Sequence, residues 1–293
     1  MRVLHFLQNS IDKSLLICRT HRISSNFRIL KLIECMSDFI LSHLEGALLK
    51  ITFNRPEVFN SFNREMALQM QEVLEYAKSE SIRCVLITGN GKAFCAGQDL
   101  QEVTDPNGPA LTTIISEHYN PIICLIRALE KPVIAAVNGV AAGAGANIAL
   151  ACDVVVAQEH ASFIQAFSKI GLIPDSGGTY TLPRLIGWQK ASALMMLGDK
   201  VSAEDAEKMG MIYKVYAATE FHDKVNELAL NLSNMPTKGL ALTKKALQSS
   251  LTNDLETQLN LEDQLQSAAG LTYDYKEGVK SFLEKRKAIF KGE

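Results

Sequence analysis

A turn made almost entirely of small residues constrains this chain more than any other feature. Residues 137–147 run Val-Asn-Gly-Val-Ala-Ala-Gly-Ala-Gly-Ala-Asn and follow an apolar stretch at residues 132–137. The stretch predicts a buried strand, and glycines after it let backbone N–H groups approach a ligand closely. A helix that begins there adds partial positive charge at its N-terminus. The turn therefore suits an anion, or a carbonyl oxygen that becomes one, although close packing of strand on helix explains its glycines equally well.

The motifs of several other ligand-binding folds are missing. Residues 143–148 lack the third glycine of a dinucleotide-binding turn, and no acid follows at the distance that a ribose contact needs. Neither a P-loop nor a G-x-S-x-G nucleophile elbow occurs. The 6 cysteines are scattered without a C-x-x-C pair, and the 6 histidines do not cluster. We therefore expect no bound metal and a reducing compartment.

Composition narrows the class of partner. With a formal net charge of -2 over 293 residues, the chain has no strong electrostatic attraction to nucleic acid or to a membrane surface. Its apolar stretches are too short to span a bilayer. Basic side chains outnumber acidic ones in residues 1–35. We expect an N-terminal extension there that is disordered or not native, and a cytoplasmic protein; the alternative is a transit peptide and a mitochondrial protein.

Strand and helix patterns alternate over the first two thirds of the chain and then give way to helices. This order indicates an α/β core with a helical appendage. Besides the opening stretch, the predicted strands cover residues 47–53, 84–88, 154–157 and 161–164, and a second glycine-rich turn lies at residues 169–179. The predicted helices cover residues 64–80, 112–128, 201–209, 221–232, 254–269 and 273–287.

Three stretches, at residues 92–100, 132–153 and 171–179, together resemble the enoyl-CoA hydratase/isomerase (crotonase) superfamily. Shorter stretches at residues 54–56, 201–206 and 282–286 extend the resemblance, which covers the chain from about residue 36 to its end. It implies the crotonase (ClpP-like) fold, an α/β spiral of β-β-α units, in residues 36–232. Residues 233–293 would form a helical trimerisation region, and the superfamily assembles as homotrimers or dimers of trimers.

The resemblance also implies a chemistry. The superfamily binds acyl-CoA thioesters and stabilises their enolates with two backbone N–H groups, which here fall on Gln98 and Ala144. Adjoining residues of the two turns, Ala96, Gly97 and Gly143, would contact the substrate. CoA is then part of the substrate, and we expect no separate cofactor. Two preorganised donors of this kind each stabilise a transition state by about 3 kcal/mol.

Three positions decide which reaction the resemblance implies. Hydratases use two glutamates, whose positions here hold Asn147 and Phe167, and neither side chain exchanges a proton at neutral pH. The acid that remains nearby is Asp175, at or near the turn where many superfamily isomerases carry their single acid. An apolar environment would raise the pKa of Asp175 and make it a better base. The alternative role for an Asp before Ser-Gly-Gly is a helix N-cap.

A finer resemblance narrows the reaction. Residues 141–147, 162–171 and 174–179 resemble the isomerases that convert the ring epoxide of 1,2-epoxyphenylacetyl-CoA into an oxepin-CoA in phenylacetate catabolism. We therefore expect an acyl-CoA isomerase of that type, with 3-to-2 enoyl-CoA isomerisation as a further activity. One alternative is an enoyl-CoA hydratase. The other is a non-catalytic binding protein, for example for RNA, which the acidic side chains of the helix at residues 64–80 disfavour.

Further substrate contacts are expected from one amide, two aromatic and three basic side chains: Asn147, Phe167, Tyr119, Arg55, Lys92 and Lys285. The aromatic residues would line a pocket for a ring. The basic residues would bind the CoA phosphates, and Lys285 would reach CoA from a neighbouring subunit. Asp99 is expected to cap the segment after the first turn, and Asp153 is expected to be structural.

Overall fold

Strands in the middle of the chain alternate between two sheets, which produces a spiral of β-β-α units. The computed structural model describes residues 39–293, so the extension predicted over residues 1–35 lies outside the described part. The strands are Ile40–Glu45 (β1), Leu48–Phe53 (β2), Cys84–Gly89 (β3), Ala93–Cys95 (β4), Val133–Val137 (β5), Val140–Ala142 (β6), Val154–Gln158 (β7), Ser162–Ile164 (β8), Lys200–Ser202 (β9) and Lys214–Tyr216 (β10). The pairs β3–β4, β5–β6 and β7–β8 each place one strand in either sheet before the chain turns helical.

The two sheets are largely parallel. The six-stranded sheet has the order β1-β2-β3-β5-β7-β10, with an antiparallel hairpin of β1 and β2 at one edge. The four-stranded sheet has the order β4-β6-β8-β9 and is parallel except for its last pair. Parallel strands covered on both faces need apolar side chains throughout. The apolar stretch before the opening turn forms such a strand, because every residue of β5 is buried.

Helices dominate the chain from residue 178 onward, and the predicted helical C-terminal region is confirmed. The helices are Arg64–Tyr76 (α1), Leu100–Thr104 (α2), Leu111–Thr113 (α3), Asn120–Ala128 (α4), Ala144–Ala151 (α5), Gly178–Ile186 (α6), Trp188–Leu197 (α7), Ala203–Lys208 (α8), Phe221–Ser233 (α9), Thr237–Ser250 (α10), Leu255–Gly270 (α11) and Tyr273–Leu283 (α12). Short 3-10 turns cover Pro56–Val58 and Ala166–Ile170, and a π-helical stretch, Ile114–Tyr119, joins α3 to α4.

The π-helical stretch turns two consecutive side chains into the core. Ile114, His118 and Ile122 are buried at four-residue spacing, as on one face of a helix. The wider π turn shifts the register, so that Tyr119 is buried as well. The stretch therefore brings a tyrosine, in addition to the regular apolar face, against the rest of the core.

Some predicted element boundaries are wrong for identifiable reasons. The sequence does not predict β1, because this edge strand is only half-buried and lacks a clear apolar face. The strands β9 and β10 have three residues each, too few to show a period, and residue 201 was expected in a helix. Helix α1 ends at Tyr76 instead of residue 80, and α12 ends at Leu283 instead of residue 287.

An ion pair fastens the C-terminal helices to the core. Lys244 of α10 donates to Asp153 Oδ2 at 2.8 Å, and the same carboxylate oxygen accepts from the backbone N–H of Val133 at 2.9 Å. Asp153 is therefore structural, as predicted. The boundary predicted at residue 232 falls in the last turn of α9. Over residues 39–293, no helix combines the length and the apolar character that a membrane span requires.

The C-terminal tail folds back onto the last helix and the core. Arg286 donates to both carboxylate oxygens of Glu277, at 2.6 and 2.9 Å, and Ile289 N–H donates to the same carboxylate at 2.8 Å. Arg83 of the core donates to the carbonyl of Phe290 at 3.0 Å. A bidentate guanidinium–carboxylate pair has a well-defined geometry, so Glu277 sets the course of the tail.

Candidate active site

The two predicted oxyanion donors lie just after neighbouring parallel strands, at equivalent positions. Cys95 of β4 pairs with Ala141 of β6. Gln98 and Ala144 each lie three residues after the paired residue of their strand, so both lie beyond the same edge of the smaller sheet. Adjacent parallel strands lie about 4.8 Å apart. The strand register therefore brings the two backbone segments side by side.

Both backbone N–H groups are left without an internal acceptor. The bridge between Phe62 and Gln98 uses Phe62 N–H to Gly97 O at 2.7 Å and Asp99 N–H to Phe62 O at 2.8 Å, so Gln98 N–H faces away from it. Ala144 is the first residue of α5, where a helix has no internal partner for its N–H groups. Within residues 39–293, neither N–H has a hydrogen-bond acceptor.

Glycines allow the two segments to come this close. Gly97 has φ 96°, and a Cβ there would lie 3.0 Å from Ala142 O and 3.5 Å from Ala144 N. A Cβ on Gly145 would lie 2.4 Å from the carbonyl oxygen of Cys95. Such a distance is incompatible with any side chain unless the backbone moves. The glycines therefore have a specific role: without side chains at Gly97 and Gly145, the start of α5 can lie directly against the turn that carries Gln98.

The third candidate, Asp175, contacts α5 one helical turn beyond Ala144. Asn147, three residues after Ala144, donates from Nδ2 to the backbone oxygen of Asp175 at 2.9 Å. The carboxyl group of Asp175 is partly buried and accepts from Ser176 Oγ at 2.8 Å. Burial raises the pKa of Asp175 above its usual range, and the hydrogen bonds from Ser176 and from its own backbone only partly oppose this shift.

The alternative role of Asp175 as a helix N-cap is wrong. Helix α6 begins at Gly178, its cap residue is Gly177, and no side chain caps it. The backbone carbonyl of Asp175 accepts from Gly178 N–H at 2.8 Å, while the carboxylate accepts from Ser176 Oγ and from its own backbone. The carboxylate of Asp175 therefore contributes nothing to the start of the helix.

Phe167 and Asn147, both predicted to contact the substrate, lie near these groups. The side-chain amide of Asn147 is already hydrogen-bonded within the protein. Phe167 is buried, and a Cβ on Gly143 would lie 3.8 Å from its ring, so the ring covers the start of α5. Asn147 is also buried, and it donates to Asp175 and accepts from Gln165 Nε2 at 2.9 Å. These contacts give the amide of Asn147 a structural role in place of the predicted substrate contact.

Tyr119 lies behind the site. It is 1% exposed, and its hydroxyl donates to Gln98 Oε1 at 2.9 Å. Burial raises the pKa of the Tyr119 phenol well above its usual range, and the negative charges of Asp175 and Glu102 act in the same direction. The prediction that Tyr119 lines the substrate pocket is therefore wrong, because its ring packs in the core and its hydroxyl is bonded to the side chain of Gln98.

The predicted phosphate-binding cations differ in their surroundings. Arg55 donates to Asp99 Oδ2 at 2.9 Å and to the carbonyl of Ser61 at 2.6 Å, so its guanidinium is engaged in the fold and not offered as a phosphate contact. Asp99 caps α2 by accepting from Gln101 N–H at 3.0 Å, as predicted. Lys92 and Lys285 are exposed. Ala96 is exposed next to Gly97, where a ligand could reach its carbonyl group.

Three residues around the site were not predicted: Glu102, Gln165 and Ser176. Glu102 accepts from Gln98 Nε2 at 2.8 Å, a contact between residues four apart that helical spacing would have allowed. Ser176 has φ 51°, in the left-handed region, and no sequence signal predicts this for serine. In the described part of the chain, no three His, Cys, Asp or Glu side chains are grouped as metal ligands.

Comparisons with known proteins identify the family of the chain. The family model for enoyl-CoA hydratase/isomerase matches residues 43–293. A 1,2-epoxyphenylacetyl-CoA isomerase of Escherichia coli (strain K12) is 49% identical over 261 residues, which are 88% of this chain and 100% of that protein. A probable enoyl-CoA hydratase of Rhodobacter capsulatus is 43% identical over 242 residues, which are 83% of this chain and 93% of that protein.

A solved structure has the same fold. The enoyl-CoA hydratase from Bacillus anthracis is 33% identical, has a TM-score of 0.84, and the match covers 87% of this chain and 100% of that one. The spiral of β-β-α units and the helical C-terminal region are therefore those of the crotonase fold. The chain belongs to the enoyl-CoA hydratase/isomerase family.

Proposed function

We propose that this protein is an acyl-CoA isomerase that works through an enolate. One observation carries the proposal: two N–H groups have no internal acceptor within residues 39–293, the helix that begins at one of them is hydrogen-bonded to the turn of the partly buried acid Asp175, and the two glutamate positions of a hydratase hold an amide and a phenyl ring. In this proposal, Gln98 N–H and Ala144 N–H bind the thioester oxygen of the substrate. Asp175 carries the proton.

For a 3-enoyl-CoA, the proposed reaction needs no group beyond these three. Asp175 removes a proton from the carbon next to the thioester carbonyl, and the electron pair of that C–H bond moves onto the carbonyl oxygen. The two N–H groups hold the resulting oxyanion, each contributing about 3 kcal/mol. Asp175 then returns the proton to the far end of the conjugated system. For a 3-enoyl-CoA this moves the double bond to the 2 position.

The substrate within this class is proposed from the relatives. The E. coli protein that is 49% identical is named a 1,2-epoxyphenylacetyl-CoA isomerase, and its full length is matched. An apolar acyl group also suits the segments that flank the donors and the acid, since Leu100 and Ile173 are exposed there. We propose the ring epoxide as the main substrate, with oxepin-CoA as product and phenylacetate catabolism as the setting.

Water addition is the competing activity, and the name of the Rhodobacter relative favours it. A hydratase must both activate water and deliver a proton. Asn147 and Phe167 can do neither, and Asp175 alone would have to perform both steps. The proposal therefore expects weak hydration of a 2-enoyl-CoA compared with isomerisation of a 3-enoyl-CoA.

An assay of three substrates tests the proposal. Wild type, Asp175→Asn and the matched control Asp199→Asn, an exposed acid, would each be given the ring epoxide, a 3-enoyl-CoA and a 2-enoyl-CoA. We expect Asp175→Asn to lose isomerisation by about 100-fold or more, because general acid–base catalysis contributes that much. Retained isomerisation in Asp175→Asn would refute Asp175 as the proton carrier. Efficient hydration by the wild type would refute the isomerase assignment.

The assembly is proposed to be a homotrimer or a dimer of trimers. Several large apolar side chains of the C-terminal region are open to solvent in the single chain, among them Leu271 at 81%, Phe282 at 82% and Leu283 at 75%. Exposed apolar groups in such number are typical of subunit interfaces. Light scattering after gel filtration would give the subunit number, and a monomer at micromolar concentration would contradict the proposal.

A further inference from the structure

The buried amide of Asn147 is committed at both ends. Asn147 is 2% exposed. Its Nδ2 donates to the backbone oxygen of Asp175, and its Oδ1 accepts from Gln165 Nε2, both at 2.9 Å. The amide thus links α5, which begins at the oxyanion donor Ala144, to the turn that carries the candidate acid.

The orientation of this amide follows from the chemistry of its partners. A backbone carbonyl only accepts hydrogen bonds, so Nδ2 must face Asp175 and Oδ1 must face Gln165. Gln165 must then donate, which leaves its own buried Oε1 without a partner within residues 39–293. A buried acceptor without a donor is unfavourable. The contact with Asp175 therefore dictates the arrangement, and Gln165 adapts to it.

The turn at residues 175–178 has an unfavourable backbone conformation that tertiary contacts must stabilise. Ser176 and Gly177 both lie in the left-handed region, with φ 51° and 73°, and such a conformation is uncommon for serine. Gly178 packs directly on the amide, since a Cβ there would lie 2.4 Å from Asn147 Nδ2. The backbone of residues 175–178 is thus wrapped around one buried side chain.

We infer that Asn147 is a positioning residue that acts through the backbone of Asp175 and so fixes where the proton-carrying carboxyl group lies. The inference rests on the proposed function, in which Asp175 moves the proton. It also makes Asn147 a determinant of reaction type. A carboxylate at residue 147 would face the carbonyl oxygen of Asp175, and two acceptors repel each other. In this chain, a hydratase-type acid at that position would release the turn that isomerisation needs.

Two substitutions at residue 147 separate this role from substrate binding. Asn147→Asp keeps the shape and exchanges the donor for an acceptor, and Asn147→Leu keeps the size and removes both bonds. We expect kcat for isomerisation to fall about 10- to 100-fold in both, with KM changed less than about 3-fold, because a displacement of about 1 Å at a reacting group has that effect. Asn253→Asp, a half-buried asparagine far along the chain, is the matched control. A loss that appears in KM would restore the substrate-contact role and overturn the inference.

A second variant guards against misfolding. Gly178→Ala would displace the same amide without changing its chemistry, and we expect the same loss in kcat alone. Thermal melting identifies which variants are folded. A folded Asn147→Leu or Gly178→Ala with at least half of the wild-type kcat would overturn the inference.

A double variant distinguishes failure of this inference from failure of the proposed function. In an Asp175→Asn background, Asn147→Leu should cause no further fall in kcat, because the group that it positions is already gone. If Asp175→Asn alone retains activity, the proposed function fails. If Asp175→Asn is inactive and the Asn147 variants are active, only the positioning role fails. Asn147→Glu tests the effect on reaction type. If this variant hydrates a 2-enoyl-CoA and also retains isomerisation, an acid at residue 147 does not displace Asp175, and that part of the inference is refuted.

Discussion

The hydroxyl of Tyr119 donates to the side-chain oxygen of Gln98 at 2.9 Å. Glu102 accepts from the other end of the same amide at 2.8 Å, and its second oxygen accepts from the backbone N–H of Arg64 at 2.8 Å. Because a carboxylate only accepts, Nε2 of Gln98 must face Glu102, and Oε1 must face Tyr119. A side chain held at both ends restrains the backbone that carries it. The direction of Gln98 N–H is therefore set from two sides.

Removal of the Tyr119 hydroxyl should weaken catalysis more than stability. Tyr119→Phe keeps the ring in the core and frees one end of the Gln98 amide. We expect kcat to fall about 5-fold, equivalent to about 1 kcal/mol, with KM unchanged. Steady-state kinetics would measure this, with Tyr76→Phe on α1 as the control for loss of the hydroxyl of a half-buried tyrosine elsewhere. Equal losses in the two variants would show that the contact with Gln98 has no special effect.

The ionised carboxylate of Asp175 should lower the free energy of unfolding at neutral pH. Burial raises its pKa above 3.8 in the folded state, so the folded protein binds the proton more readily than the unfolded chain. Stability therefore falls as pH rises from 3.8 through the raised pKa, and the whole cost is present at neutral pH. We expect Asp175→Asn to melt at a higher temperature than wild type at pH 7, with the difference shrinking as pH falls toward 3.8. A variant that melts lower than wild type at neutral pH would contradict the direction of this shift. Asp199→Asn should leave the melting temperature unchanged.

The backbone segments that carry the two proposed oxyanion donors are too close together to admit a methyl group on Gly145. A Cβ on Gly145 would lie 2.4 Å from Cys95 O and 2.7 Å from Cys95 Sγ. We expect Gly145→Ala to lose about 1–3 kcal/mol of unfolding free energy and most of the activity, because α5 must shift to relieve the overlap. Urea unfolding and the isomerase assay would measure both effects. Gly270→Ala, where no atom lies within 4 Å of the added Cβ, is the matched control. A Gly145→Ala protein with wild-type kcat would show that the spacing of the two donors tolerates adjustment.

The ion pair between Arg286 and Glu277 should hold the C-terminal tail, residues 284–293, in place at neutral pH and release it in acid. Hydrogen bonds from Arg286 hold the pKa of Glu277 at about 2, well below 4.5. Because this pKa is lowered by folding, its contribution to stability is complete above 4.5 and is lost as pH falls toward about 2. We expect Glu277→Gln to expose residues 284–293 to carboxypeptidase at pH 7, and wild type to become equally exposed only in strong acid. Glu72→Gln is the control, and equal protection of wild type and Glu277→Gln at pH 7 would argue against a tail fastened by this pair.

The sequence predicts the parts of the fold that depend on local patterns. The strand β5 is a continuous apolar stretch, and α1 has a polar cap and an apolar face, so both are predicted. The edge strand β1 is not, because its register comes from pairing with β2 and not from its own pattern. The π turn before Tyr119 is also hidden, since one extra residue barely alters a helical period. In the site, small residues predict where backbone approaches backbone, whereas the partners of Arg55 and Asn147 lie 44 and 28 residues away and carry no local sign.

The proposed donors at Gln98 and Ala144 belong to the main chain, and the register of β4 and β6 sets their spacing. Their chemistry therefore does not depend on which side chains these two positions carry, provided that the glycines beside them remain. Selection could then exchange acids, amides and aromatic rings around an unchanged electrostatic centre. If the proposed function holds, altered proton routes around these donors would be enough to change the reaction, and the relatives are indeed named for both hydration and isomerisation.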